Sequence, residues 1–202
     1  MTAAENILKQ KRWIKKEIDK RLPQNSDAIW EEARQRLDGI LAEYADIPKG
    51  ERTHTDNYIF PSAAIYLSLK EFAGPEMAYD IIETAASEYS SKMGAKLAVL
   101  MRVPGMRSLF IRVWEPLTNK MFGQGCGFQN RFYPKEKGAY RMDVTACPYH
   151  KYLSLLGCPE INSIFCDNDE RVYGNLPGIE FRRSTTIGRG GDRCDFYVRK
   201  IK

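Results

Sequence analysis

Apolar residues recur at helical spacing through residues 1–122, which predicts that this part of the chain is mainly helical. Proline and glycine interrupt the pattern at Pro23 and in the run 48–50, as they do between helices. The polar segment 51–57, which carries His54, is predicted to be a loop. The predicted helices cover residues 4–22, 27–45, 61–72, 76–92 and 105–121.

The pattern changes after Gly125, where apolar residues alternate with polar ones in short runs, as they do in β-strands. In the last of these runs Cys194 is expected to face the interior and Asp195 the opposite side, because successive side chains of a strand alternate. Pro148 and Pro159 each stand where a helix can begin. The predicted elements are a hairpin over 128–145, helices over 148–156 and 159–169, and strands over 179–186 and 194–201.

Together these elements predict a single α+β domain that spans residues 1–202. In this domain a helical N-terminal layer, residues 1–122, packs on a C-terminal antiparallel β-sheet with inserted helices, residues 123–202. A chain of 202 residues with 43% hydrophobic content is long enough for one buried core. No run approaches the roughly 18 apolar residues of a membrane span, and the N-terminus is too charged for a secretory signal, so a cytoplasmic location is expected.

The net charge of +5 raises the question of nucleic-acid binding, and two basic stretches, 9–21 and 182–202, supply much of it. The first stretch follows an apolar helical stripe, so its lysines are expected to form a solvated helix face, with a surface for an anionic partner as the alternative. No zinc-finger, helix-turn-helix or aromatic ribonucleoprotein motif is present. The expected partner is therefore a small-molecule substrate, with no nucleic acid and no membrane, and homo-oligomerisation stays open.

All five cysteines lie beyond residue 125, so the C-terminal part is where chemistry is expected. An odd number of cysteines without a secretory signal favours free thiols over a disulfide framework. Their spacing contains no close C-x-x-C pair, so no metal site is predicted, although distant segments could assemble one from Cys147, His150, Cys166 and Cys194. The five are Cys126, Cys147, Cys158, Cys166 and Cys194.

Cys147 and Cys158 each precede a proline that can open a helix. A thiolate at a helix N-terminus is stabilised by unpaired N–H groups, which would lower the pKa of the thiol and raise its reactivity. His150 follows Cys147 by about one helical turn and could reach it as a base. The alternative is that both cysteines are small buried residues without a chemical role.

Cys166 and Cys194 are two further candidates. Asp167 and Asp169 follow Cys166 and could provide a carboxylate base or metal ligands, or could be solvated acids at the end of a helix. Cys194 starts the last strand directly after a Gly-Gly turn, and its inward direction suits a nucleophile in a pocket as well as it suits a buried thiol.

Four short motifs stand in a fixed order in this part of the chain. They are Cys147-Pro-Tyr, Gly157-Cys158-Pro-Glu, Phe165-Cys166-Asp-x-Asp169 and Gly190-Gly191-Asp-x-Cys194-Asp195-Phe196. With them the chain resembles the L-2-amino-thiazoline-4-carboxylic acid hydrolase family, and the resemblance covers most of its length. The last motif also resembles the closing segment of vinyl-reductase-type small-molecule-binding domains, which implies a related α+β fold.

The resemblance implies hydrolysis of a C–N bond in a small cyclic amidine, with opening of a thiazoline ring to a carbamoyl-cysteine. The attacked carbon stands between sulfur and two nitrogens, and the departing ring atom needs a proton. In one mechanism a thiolate, Cys147 or Cys194, attacks this carbon, with His150 or His54 as base and acid.

In a second mechanism a carboxylate, Asp143, Asp169 or Asp195, activates water with or without a metal. Arg141 or Arg193 could pair with the substrate carboxylate in a bidentate contact. The sequence does not specify a cofactor.

Cys166 completes the set of catalytic candidates, and Tyr149 and Asp195 complete the candidates for contact with the substrate. Two other interpretations use the same residues. One is a small-molecule-binding or sensory domain without turnover, and the other is a protein that holds a metal through its dispersed thiols.

Overall fold

The computed structural model describes residues 2–134 and 136–201, in which helices come first along the chain and a four-stranded sheet follows. The helices are α1 (Ala3–Lys9), α2 (Arg12–Arg21), α3 (Ser26–Glu43), α4 (Arg52–His54), α5 (Phe60–Ala73), α6 (Pro75–Leu100), α7 (Met106–Met121), α8 (Pro148–Leu155) and α9 (Asn162–Tyr173). The strands are β1 (Gln129–Phe132), β2 (Ala139–Ala146), β3 (Ile179–Arg182) and β4 (Cys194–Lys200). The predicted α+β fold, with its helical N-terminal part, C-terminal antiparallel sheet and inserted helices, is confirmed. None of the described helices has both the length and the apolar content of a membrane span.

The helix predicted over 4–22 is two helices, α1 and α2. The buried residues Leu8 and Ile14 are six positions apart, which does not place them on one face of a continuous helix. Lys11 lies in the break, is only 7% exposed, and has its pKa lowered to about 8 by burial. The expectation that this lysine belongs to a solvated helix face is therefore wrong.

The segment 51–57 is helical, so the predicted loop is also wrong. After α4, residues Thr55–Ile59 form a π-helix that leads directly into α5. His54 and Thr55 are buried, and the Thr55 hydroxyl donates to the Glu51 carbonyl at 3.3 Å. The polar composition was misleading because these side chains find hydrogen-bond partners inside the protein.

The sheet has the order β1-β2-β4-β3, and all neighbouring strands are antiparallel. Cross-strand pairs such as Val144 with Cys194 put apolar side chains on an inner face, which packs towards the helices. The next pair, Asp143 with Asp195, lies on the opposite, outer face. The predicted directions of Cys194 and Asp195 agree with this register.

β3 ends at Arg182, four residues before the predicted end at 186. The N–H groups of Ser184 and Thr185 donate to the Asp195 carboxylate at 2.9 and 2.7 Å, so they do not extend the ladder. The Asp195 carboxylate thus accepts the hydrogen bonds that a strand carbonyl would otherwise accept, and the chain turns away from the sheet.

Gly94 allows α9 to lie close to α6. A Cβ atom at this buried position would stand 2.6 Å from the carbonyl oxygen of Arg171 and 3.2 Å from the Cα of Val172. The two helices are also joined by an ion pair between Glu83 and Arg171. This close approach matters for function because α9 carries Cys166 and Asp169.

We expect Gly94→Ala to lower the free energy of unfolding by about 1–3 kcal/mol, because the added methyl group overpacks the α6–α9 contact. Gly39→Ala is the matched control, since Gly39 is an exposed α3 residue with no atom within 4 Å of the added Cβ. It should raise the free energy of unfolding by up to about 1 kcal/mol through helix propensity. Urea unfolding of both variants checks this, and equal stabilisation by the two alanines would contradict the close approach.

Candidate functional site

One face of α9 carries the residues that build the site. Asn162, Cys166, Asp169 and Tyr173 follow one another at three- or four-residue intervals, so they lie on the same side of the helix. Asp169 influences the ionisation of the Tyr173 phenol and of the Cys166 thiol. Burial is the larger cause in both cases and raises both pKa values, that of Tyr173 to about 12.

A short 3-10 turn, Ile187–Arg189, presents its N–H groups to two of the thiols. The N–H of Ile187 donates to Cys194 Sγ at 3.3 Å, and the N–H of Gly188 favours the ionised form of Cys166. A Cβ atom on Gly188 would stand 2.7 Å from Cys166 Sγ, so only glycine brings the backbone this close to the thiol.

Cys147 stands at the N-terminus of α8, as predicted, but its thiol is not activated. Burial raises its pKa to about 12, and the N–H groups of His150 and Tyr149, which favour the thiolate, do not offset this effect. Cys158 is fully buried in the helical core, and burial raises its pKa to about 12 as well. The prediction that helix N-termini lower these two pKa values is wrong, because burial outweighs the backbone N–H groups.

The thiols of Cys147, Cys166 and Cys194 come together although up to 47 residues separate them along the chain. Each pair of the three is close enough for electrostatic coupling of their ionisation. Burial raises the pKa of Cys194 to about 11, so at pH 7 only about one such thiol in ten thousand is ionised. These are neutral thiols that surround a common region.

Asp169 is the acid of this region. Its Oδ2 accepts a hydrogen bond from Arg183 Nη1 at 2.8 Å, whereas no described residue donates to Oδ1. Burial raises its pKa to about 6, although Arg183 acts in the opposite direction. The Asp169 side chain nevertheless keeps 37% of its surface accessible, against 4% for Arg183. The Asp169 carboxylate is thus surrounded by protein atoms, yet water reaches part of its surface.

Arg183 is a site residue that the sequence did not indicate. Its Nη2 donates to the Cys166 carbonyl at 2.7 Å, and its guanidinium carbon lies 5.4 Å from the centre of the Phe196 ring and 5.8 Å from that of Phe181. It also favours the ionised forms of Cys166 and Cys194, although burial dominates both pKa values. Arg183 lies inside the strand predicted over 179–186, and nothing in its neighbourhood along the chain marks its partners.

His54 is held inside the protein by two hydrogen bonds. Its Nε2 lies 2.6 Å from the carbonyl oxygen of Met121, which requires an N–H at this atom, so Nδ1 accepts from the Tyr149 hydroxyl at 3.0 Å. Burial lowers the pKa of His54, which therefore stays neutral, and raises that of Tyr149 well above its usual value. The structure gives His54 the role of a fixed acceptor for Tyr149.

His150 does not reach Cys147 with its side chain. Its ring is exposed, and Nδ1 lies 3.3 Å from the side-chain amide nitrogen of Asn162. The backbone N–H of His150 is what faces the thiol. The proposed base for Cys147 is therefore absent from the observed geometry.

Four predicted residues lie on the outer face of the sheet, away from the thiols. Asp143 accepts from the Tyr133 hydroxyl at 2.7 Å and pairs with Arg193 at 3.4 Å. Arg141 stacks on the Tyr133 ring at 4.2 Å. Asp195 accepts from Ser184 and Thr185, as described above, and these bonds hold its pKa below the usual value although burial acts against them.

A cleft of about 590 Å³ adjoins the thiol region where β3 ends. Arg183 and Phe196 line it and also border the region of Asp169 and Cys194, while Arg141 and Tyr197 line its outer side. Among residues 2–134 and 136–201, no group of three or more His, Cys, Asp or Glu side chains is placed to hold a metal ion. The metal-binding interpretation thus finds no ligand set in these residues.

The fold and this cluster define an α+β protein in which three neutral thiols and the Asp169 carboxylate lie close together beside a cleft at the end of β3. The model of the L-2-amino-thiazoline-4-carboxylic acid hydrolase family matches residues 52–198, and the chain belongs to this family. The matched region contains the thiol cluster, Asp169 and Arg183. No curated protein matches the chain.

We expect Tyr149→Phe to lower the free energy of unfolding by about 1–3 kcal/mol, because it leaves the buried Nδ1 of His54 without a donor. The matched control is Tyr197→Phe, because the Tyr197 hydroxyl contacts Glu136, at 3.4 Å, and Arg199 at the surface and not a buried group. Its effect should stay within about 0.5 kcal/mol. Urea unfolding measures both variants, and equal losses would mean that the His54–Tyr149 bond contributes little.

Proposed function

We propose that this chain hydrolyses a C–N bond of a small cyclic amidine, with 2-amino-thiazoline-4-carboxylate as the reference substrate. Membership of the family supports this activity. The observation that carries the proposal is the position of Asp169, a carboxylate with one free oxygen that faces the region of the three thiols.

Asp169 has the properties of a general base for water. With a pKa raised to about 6 it is mostly ionised at pH 7 and is a stronger base than an ordinary aspartate. Arg183 holds Oδ2, so Oδ1 is the atom available to a water molecule. In the proposed step Asp169 takes a proton from this water, and the oxygen attacks the ring carbon between sulfur and the two nitrogens.

Collapse of the resulting tetrahedral carbon requires a leaving group. A ring nitrogen must be protonated before it leaves, whereas sulfur can leave as a thiolate. Asp169 holds the proton that it took from water, so it can deliver this proton to the nitrogen as the C–N bond breaks. As the carbonyl forms, Asp169 takes the hydroxyl proton of the adduct and passes it to the same nitrogen, so the departing amine carries both hydrogens of the added water. The product is an S-carbamoyl-cysteine with a free amine.

The thiols serve this chemistry as neutral groups. A nucleophilic thiol would need to be ionised, and burial raises the pKa of Cys147 to about 12 and that of Cys194 to about 11. Uncharged sulfur atoms give the thiol region a polarisable lining that suits a sulfur-containing ring. We therefore favour activation of water over the thiolate mechanism, which the pH dependence can distinguish.

We expect kcat/KM for 2-amino-thiazoline-4-carboxylate to rise with pH through a midpoint of about 6 and then to level off. The base acts only when ionised, and protonation of Asp169 as the pH falls through its pKa removes it. An ordinary aspartate would place this midpoint near pH 4. A rate that keeps rising to about pH 11 would instead identify a thiolate nucleophile, and the released amine or thiol reports which bond breaks.

We expect Asp169→Asn to reduce kcat/KM by about a hundredfold or more and to abolish the acid limb of the pH profile. Asp167→Asn is the matched control, because Asp167 lies on the same helix and pairs with the surface residue Arg189. It should stay within a fewfold of the wild type. Near-normal activity of Asp169→Asn, in protein shown by urea unfolding to be folded, would rule out the proposed base.

A binding protein without turnover is the second candidate, and the size of the cleft beside the site favours it. A volume of about 590 Å³ lies in the range typical of small-molecule sites. Saturable binding of 2-amino-thiazoline-4-carboxylate by the wild type, with no product at any pH, would support this function over hydrolysis.

A further inference from the structure

Helix α7 lies on the surface of the protein and has apolar side chains on two sides. Eight of its sixteen residues are large and apolar, yet none of the sixteen is buried. One side, with Phe110 and Trp114, packs towards β3 and β4. The other side carries Leu109, Val113 and Leu117, which recur every four residues and are exposed. A helix that is apolar on two sides is expected to have a partner on each of them.

The turn between α6 and α7 adds further exposed apolar residues next to the N-terminus of α7. Its backbone is hydrogen-bonded, for example from the Val103 N–H to the Leu100 carbonyl at 3.1 Å. It is also anchored from inside, because Met101 is buried and its carbonyl accepts from Arg107 Nε at 3.1 Å. We define the α7 face as the apolar residues of this turn and of α7 that are at least 41% exposed, namely Val99, Leu100, Val103, Leu109, Val113 and Leu117.

The α7 face is bordered by basic residues without acidic partners. Five basic residues but a single acidic one lie between positions 96 and 121. The acidic residue, Glu115, lies beside Tyr140 on the side of α7 that meets the sheet. Four of the basic residues are exposed, and no acidic residue in the described part of the chain pairs with them. These four are Lys96, Arg102, Arg112 and Lys120.

This combination of apolar and basic groups discriminates between possible partners. A second copy of the chain is disfavoured, because a symmetric contact through this face would bring two sets of cations together. A nucleic acid would pair with the cations but would leave the valines and leucines without a partner, and the α7 face has no aromatic ring on which a base could stack. An anionic lipid surface meets both requirements, since it offers an acyl region for the apolar side chains and phosphates for the cations.

We propose that the α7 face binds the surface of an anionic membrane, with its apolar side chains at the acyl boundary and the four exposed cations against the lipid phosphates. The expectation from the sequence that the protein has no membrane partner rested on the lack of a spanning segment, which binding to a membrane surface does not require. The inference goes beyond the proposed hydrolysis and does not depend on it.

Sedimentation with lipid vesicles tests the proposal. The wild type should bind phosphatidylcholine vesicles that contain about 30% phosphatidylglycerol at least about tenfold more tightly than vesicles of phosphatidylcholine alone. Raising the salt concentration from about 0.05 M to about 0.5 M should weaken this binding, because salt screens the attraction of the cations to the lipid phosphates. Equal binding of the two kinds of vesicle, or no binding of the anionic ones, would overturn the proposal.

Leu109→Asn should weaken binding of the anionic vesicles about threefold to tenfold, because it removes an apolar side chain from the acyl boundary. Leu155→Asn is the matched control, since Leu155 is an exposed leucine on α8, outside the α7 face. Its binding should stay within about twofold of the wild type. Urea unfolding shows that both variants are folded, and equal effects of the two substitutions would contradict insertion of the α7 face.

Arg112→Gln should weaken binding of the anionic vesicles about threefold to fivefold through the loss of one cation at the lipid surface. Arg131→Gln is the control, because Arg131 is an exposed arginine on β1 and does not border the α7 face. Both substitutions remove one positive charge from the protein. An equal effect of the two would therefore indicate overall charge and would contradict a binding face at α7.

Two further measurements test the other possible occupants of the α7 face. Poly-glutamate represents an acidic protein, and tighter binding of it than of the anionic vesicles, with a loss in Leu109→Asn, would overturn the membrane proposal. Sedimentation equilibrium without lipid tests a second copy of the chain. The wild type and Leu109→Asn should show the same oligomeric state, whereas a dimer that this substitution dissociates would mean that a second copy covers the face.

Discussion

The buried guanidinium of Arg183 joins the end of β3 to α9. The Arg183 side chain is 4% exposed, and a charge so far from water destabilises the fold unless it is paired. Its partners, the Asp169 carboxylate and the Cys166 carbonyl, both belong to α9, and its plane lies over Phe181 and Phe196. Satisfying this one charge therefore fixes where the end of β3 lies relative to α9, and with it the distance between the α9 carboxylate and the β4 thiol.

The regular elements could be predicted because burial in them follows a simple period. The stripes of α3 and α6 and the alternation of Cys194 and Asp195 depend only on which side of an element faces inward, which the sequence states directly. The π-helix at Thr55–Ile59 could not be predicted, because a polar composition alone indicates a loop. Its side chains instead bond to the preceding turn, Thr55 to the Glu51 carbonyl and Asn57 to the Thr53 carbonyl. Lys11 was misjudged for a related reason, since its burial results from a break between two helices.

The sequence indicated which residues come together at the candidate site better than it indicated their pKa values. Cys147, Cys166, Cys194 and Asp169 were all named from motifs, and the fold brings them together. The pKa of each group depends on the atoms packed around it. The position of a residue at a helix end does not reveal which atoms these are.

The role of Arg183 could not be predicted from the sequence either, because its partners lie 14 and 17 residues earlier in the chain. Cys194 and Asp195 are adjacent in one motif, but their side chains have different surroundings. The thiol belongs to the site, whereas the adjacent acid holds the turn at Ser184, so neighbouring motif residues serve opposite faces of one sheet.

The π-helix before α5 accommodates one residue more than α-helical winding would. One residue corresponds to a rotation of roughly 100° about the helix axis, so everything on its N-terminal side is turned by that amount relative to an uninterrupted helix. His54 immediately precedes this segment and owes to it the direction that meets both Met121 and Tyr149. The Tyr149 phenol beside Cys147 thus finds its hydrogen-bond acceptor at a position that depends on a local change in the winding of another helix.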